Sequence, residues 1–288
     1  MRRAAEARPI RVTLCADDFA MHPAIDDAVV QLAHRGRLSA TSCMTTSPRW
    51  AEAARTLADA PRTLATGLHL NLTEGHGDAA PTLGTVLIDA YARRLDGAGI
   101  AQAIARQLDD FEQAMRRTPD FIDGHQHVHQ LPVVRDALLA MLERRYAGAK
   151  QAPAIRATVP VRWRWAAGKA GVLALLGGLR LQRLLARRGL RHNRGFAGVY
   201  GFDAATPTDY GRHMERWLAA CGDGTLLMCH PANAEVTGDA IAAARVVEFD
   251  YLASDAFGDA LRRHGVVLSG CPGAPRTSRG SSGTSPPA

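Results

Sequence analysis

Two periodicities alternate along this chain from end to end, and that alternation constrains the fold more than any other feature. Short apolar runs suited to strands occur at residues 12–16, 38–45, 64–72, 120–122, 154–158, 224–229 and 265–269. Segments with helical spacing lie between them, at 23–35, after Ser47-Pro48, and at 100–117, 132–146, 208–220 and 240–263. Strands that alternate with helices imply right-handed crossovers and a mostly parallel sheet. About seven such units predict a single-domain α/β fold, a distorted TIM-like (β/α) barrel. Residues 74–99 read as a long excursion of weak periodicity, and 164–190 as a long basic helix or helix pair. The folded domain is expected over 10–270. Residues 1–9 and the Gly/Ser/Pro-rich tail 271–288 are expected to be disordered.

With 288 residues the chain can bury a sizeable core. Its net charge of +7 invites a nucleic-acid reading. No finger, homeodomain or aromatic stacking motif supports one, so no nucleic-acid partner is expected. The five cysteines show no CxxC pairing or disulfide framework, and residues 1–11 lack the apolar run of a signal peptide. No apolar run is long enough to span a bilayer. The expectation is a cytoplasmic protein.

Polar residues gather where the apolar runs end: Asp17-Asp18, His69 with Asn71, the segment from Asp123 to His129, and His230. In a barrel, strand ends converge on one mouth. In Asp123-Gly124-His125-Gln126-His127-Val128-His129, an extended backbone would put the aspartate and all three histidines on one face. Imidazoles crowded together suit a divalent metal. Each motif also has a plainer reading. Asp17-Asp18 could cap the following helix, His69 could be a hydrogen-bonded core residue, and His230-Pro231 is weak by itself. Specificity lies in the set.

That set closely resembles the YdjC-like carbohydrate deacetylases, also called the ChbG/HpnK family. The resemblance rests on Ala16-Asp17-Asp18-Phe19, Gly67-Leu68-His69-Leu70 and Asp123 to His129, in that order and spacing. Leu227-Met228-Cys229-His230-Pro231 and Arg245-Val246-Val247-Glu248 look like later motifs, and the likeness runs from about residue 12 to 269. Two departures stand out: Ala20 where the family usually has Gly, and Gly124 where it often has Ser. The resemblance implies a distorted barrel, one divalent metal ion (magnesium or zinc) and removal of an N-acetyl group from an amino sugar. Carried over, Asp18, His69 and His125 would hold the metal and Asp17 would be the base. His230 is the candidate acid. Asn71, Asp123, His127 and His129 are expected around the ligands or against the sugar.

Other readings stay open. A metal-dependent phosphoesterase or amidohydrolase would usually carry His-x-His on its first strand, where this chain has Asp17-Asp18. A glycosidase would use paired carboxylates on one bond. A sugar- or glycolipid-binding relative would have lost the chemistry. The basic stretch 162–194, with Trp163, Trp165 and many leucines, allows contact with an anionic membrane and hence a glycolipid-linked substrate. Packing of those leucines on the barrel is the favoured alternative. A homodimer is left open.

Overall fold

The computed structural model describes residues 8–149, 152–162 and 168–270. The expected disordered segments therefore lie outside the described residues, apart from Arg8 and Pro9, as do Trp163 and Trp165. Eight parallel strands form one sheet: β1 Ile10–Phe19, β2 Ala40–Cys43, β3 Ala65–Leu70, β4 Phe121–Gly124, β5 Ala154–Ile155, β6 Gly195–Ala197, β7 Thr225–Cys229 and β8 Val266–Leu268. Their order is β5-β4-β3-β2-β1-β7-β6, with β8 pairing to the start of β1. Two isolated parallel bridges, Ile155 to His192 and Pro160 to Phe196, join the ends of that path. The result is the expected distorted barrel.

The helices are α1 Pro23–His34, α2 Trp50–Thr56, α3 Leu83–Tyr91, α4 Gly97–Met115, α5 Val134–Arg145, α6 Lys169–Leu173, α7 Leu179–Arg187, α8 Pro207–Leu218, α9 Ala242–Ala253 and α10 Asp255–Arg263. Local chemistry sets several of their starts. His22 accepts the Ala24 N–H ahead of Pro23, and Thr206 and Asp209 form a reciprocal capping box on α8.

The strands bury both faces. Their outward residues, such as Leu14, Ala16, Leu68 and Ile122, pack against the helices in the large core. Their inward residues form a small second core of Cys15, Ala40, Ala65, Phe121, Ala154, Phe196, Leu226 and Met228. Three alanines there leave room for two phenylalanine rings. Gly67 belongs to the same economy, because a Cβ on it would run into the Phe121 ring.

Two expectations are corrected and a third is narrowed. The excursion at 74–99 contains α3. The short strand β6 was missed, because three residues beside a glycine carry no readable alternation. Of the two readings of the long basic segment, the structure has the helix pair over its described part: two short helices flank a π-type turn, Ala174–Gly178. Its kink falls at Leu176 and at Gly177, whose φ is 109°.

Candidate active site

The mouth of the barrel opens into a cavity of about 1180 Å³. Asp17, Asp18, His69, His125, His127 and His230 all line it. Two adjacent carboxylates reach one mouth because β1 is irregular. Regular pleating would send them to opposite faces. Instead the register with β2 shifts between Ala16 and Phe19, and Asp18 takes a left-handed φ of 69°. Neither aspartate caps α1.

Asp18 Oδ1 lies 3.3 Å from His69 Nε2 and 2.9 Å from His125 Nδ1. Among the described residues, Asp18, His69 and His125 form one group whose ligand atoms lie close enough to share an ion. Its donors, one carboxylate oxygen and two imidazole nitrogens, are those of a catalytic metal centre with positions to spare. His69 is aimed by Asp123, whose Oδ1 accepts from Nδ1 at 2.6 Å and leaves Nε2 toward Asp18. Although burial opposes it, the charge of Asp123 raises His69 to about 10. A cation at the centre would displace that proton.

Asp17 is held differently. The fully buried guanidinium of Arg156 donates two 2.6 Å hydrogen bonds to its oxygens. Arg156 Nη2 also lies 2.5 Å from Asp123 Oδ2. Ser42 Oγ donates to Asp17 Oδ1 at 3.1 Å and sits 3.0 Å from His69 Nδ1. Burial works against ionisation of Asp17, but Arg156 outweighs it and holds the carboxyl well below its ordinary range. The base candidate is thus tied, through Arg156 and Asp123, to a ligand of the metal candidate.

The histidine segment does not run extended. β4 stops at Gly124, and His125–Gln130 coils into a 3-10 turn with Gln126 at φ 49° and His127 at φ 61°. The expected shared face is therefore lost, because two left-handed residues rotate the side chains apart. His125 faces Asp18. His127 lies on the cavity wall, edge-on to Phe196 with ring centres 5.7 Å apart. His129 turns inward, is fully buried, and donates from Nε2 to the Arg156 carbonyl at 3.0 Å. Burial lowers His129 to about 4, so it stays neutral.

Asn71 is not on the cavity lining. Its Oδ1 accepts the Thr73 and Glu74 amides, and Nδ2 donates to Thr46 Oγ1 and the Glu74 carbonyl. It shapes the turn that brings Glu74 and His76 to the cavity. His230 stands at the end of β7, its ring 5.3 Å from Phe202 and edge-on to it. Its Nδ1 is buried without a hydrogen-bond partner. Burial depresses it to about 4, against the pull of Asp18 and Asp17.

Sequence reading assigned no role to Arg156, Ser42, Tyr200 or Glu248. Glu248 accepts the His230 backbone N–H at 2.6 Å and the Tyr200 hydroxyl at 2.7 Å, and burial lifts it to about 7. An arginine two residues into a predicted strand was the available signal for Arg156. A charge at such a place needs a buried partner.

The model of the YdjC-like protein family matches residues 11–263, and the chain belongs to that family. A human protein named carbohydrate deacetylase is 28% identical over 260 residues, covering 80% of this chain and 77% of the relative. A Yersinia pestis chitooligosaccharide deacetylase is 34% identical over 128 residues, covering 41% of this chain and 50% of its own length. Among solved structures, an Enterococcus faecalis protein described as a cellobiose-phosphate cleavage protein superposes with a TM-score of 0.69. Identity is 20%, with 91% of this chain and 97% of the other covered. Among the described residues no helix is long and apolar enough to cross a membrane.

Proposed function

We propose that this protein is a metal-dependent carbohydrate N-deacetylase, hydrolysing the acetamide of an acetylated amino sugar. The observation that carries this reading is the convergence of Asp18, His69 and His125 beside Asp17 in one cavity. The deacetylase names of the human and Yersinia relatives support it.

Asp18, His69 and His125 would hold one divalent cation, and two imidazoles suit zinc better than magnesium. When bound, the cation supplies Lewis acidity, activating water and polarising the acetyl carbonyl. Asp17 takes the proton of the attacking water. Arg156 keeps Asp17 ionised and fixes its direction, so no proton must leave it before each turnover. His230 lines the same cavity; it takes up the proton that Asp17 removes from the water and delivers it to the departing amine, so both groups end as they began. It is neutral at rest and strongly acidic once it carries a proton. His127 and Phe202 border the space where the sugar would lie.

The far wall favours a sugar carried on an apolar aglycone, as in a glycolipid, over a free oligosaccharide. It is formed by Leu83 and Leu87 of α3 and by Leu173 and Leu176 around the kinked helix. Val172 and Leu175 on that helix are 55% and 72% exposed.

Acetate release from an N-acetylglucosaminide bearing an octyl aglycone and from an N-acetylated oligosaccharide, each with and without a chelator, tests the activity, and no release from either overturns it. Asp17→Asn should bind zinc as the parent does and lose about 10²–10⁴-fold in kcat. Near-parental turnover in that variant removes Asp17 from the base role.

A further inference from the structure

Arg245 is a buried cation that the proposed chemistry leaves unused. Its side chain is 2% exposed and makes three contacts with three parts of the cavity. Nη2 donates to Asp18 Oδ2 at 2.7 Å, Nε pairs with Asp239 Oδ2, and Nη1 reaches the His230 carbonyl at 3.5 Å. Asp239 sits in the loop from Val236 to Ile241, every residue of which lines the cavity.

The two oxygens of Asp18 thus have separate duties. Oδ1 faces His69 and His125, and Oδ2 is taken by a guanidinium. A carboxylate so divided can give a cation one oxygen only. A lone carboxylate could give both and fill a position that water or the acetyl oxygen needs. A guanidinium this close also repels a bound cation. Its presence lowers metal affinity while it preserves an open position.

We infer that Arg245 is a positioning residue that holds Asp18 as a single-oxygen ligand, and that Asp239 ties this restraint to the substrate-facing loop 236–241. The inference rests on the reading of Asp18, His69 and His125 as a metal centre. Arg245 fits the role better than lysine would, because a planar fork serves two acceptors in fixed directions.

The test uses the full chain loaded with Co2+ for visible absorption and with Zn2+ for calorimetry. Arg245→Gln frees Asp18 to bind through both oxygens. The expected result is weaker cobalt d–d absorption, as for a higher coordination number, with Zn2+ bound at least as tightly as by the parent. Acetate release should fall about 10–100-fold in kcat. An unchanged cobalt spectrum overturns the inference, as does Zn2+ affinity that falls together with thermal stability. Should Arg245→Gln not fold, Asp239→Asn decides, since Asp239 lies at the cavity edge and touches no metal ligand. It should shift the cobalt spectrum in the same direction by less, and lower kcat with Zn2+ affinity kept. A rise in KM alone, with the parental spectrum, overturns the coupling. A parent that binds Zn2+ but releases no acetate sinks the deacetylase reading and leaves the spectral comparison standing. A parent that binds neither ion sinks both.

Discussion

The floor and the far wall of the cavity are built by opposite means. The floor comes from strand ends and is nearly all charge: Asp17, Asp18, His69 and Asp123, tied together by Arg156 and Arg245. The wall comes from α3 and the helix kinked at Gly177, and it is leucine and valine with Lys169 among them and Val172 55% exposed. Buried ions have one low-energy arrangement, because each lost partner leaves a charge uncompensated. An apolar wall tolerates many arrangements of similar volume. On the proposed function, the floor would fix the chemistry and the wall would choose what the sugar is attached to.

The largest effect is expected where the floor is cut. Arg156 is the cation shared by Asp17 and Asp123. Arg156→Met should cost about 3–5 kcal/mol of stability, read from urea unfolding at neutral pH, because two buried carboxylates lose their partner. Lowering the pH should recover part of that loss as the carboxyls protonate, the reverse of the parent. In the parent, Asp17 has a depressed pKa, and its contribution is present at neutral pH and lost as pH falls below the ordinary carboxylate range. A loss below about 1 kcal/mol would mean that the network carries little charge and that floor and wall are alike in rigidity.

A smaller effect is expected on the wall. Leu87 is half-buried on α3 and faces the cavity. Leu87→Asn should raise KM by roughly ten-fold for an N-acetylglucosaminide bearing an octyl aglycone, the effect of about 1–2 kcal/mol of lost apolar burial. KM for the same sugar without the chain should stay within about two-fold. Equal changes for both sugars would deny the wall a part in aglycone selection.

The same contrast governs what the sequence discloses. Asp17, Asp18, His69, Asp123 and His125 are legible because rare polar types interrupt apolar strands at their ends, and the barrel brings strand ends together without further information. What stays hidden is which partner each one meets. Arg156 and Asp17 are 139 residues apart, and nothing local pairs them. The histidine alternation misleads for a related reason. Two residues with positive φ undo it, and although histidine is among the types enriched there, neither Gln126 nor His127 is the glycine or asparagine that would mark such backbone in a sequence. The wall is least legible, since α3 follows a stretch of weak periodicity and the π-type turn breaks the helical spacing of the basic segment. The strand count erred where β6 is three residues long.

The smallest effect tests the join between floor and helix layer. Ala20 follows the aspartate pair with φ 77°, in the region where a Cβ is strained. It is held there by its amide, which donates to Asp26 Oδ1 at 2.6 Å, and by its carbonyl, which accepts from Ser47 Oγ at 2.7 Å. The strain of an alanine in this conformation is about 1–2 kcal/mol. Glycine would relieve it but would add unfolded-chain entropy of roughly 0.5–1 kcal/mol. Ala20→Gly should therefore stabilise the protein by about 0.5 kcal/mol, read as a small rise in the urea midpoint with unchanged slope. Zinc affinity should not change, because Asp18 is fixed by Arg245 and the histidines and not by the residue that follows it. Weaker zinc binding in the glycine variant would instead make the strained alanine part of what aims Asp18, and would extend the rigid floor one turn further along the chain.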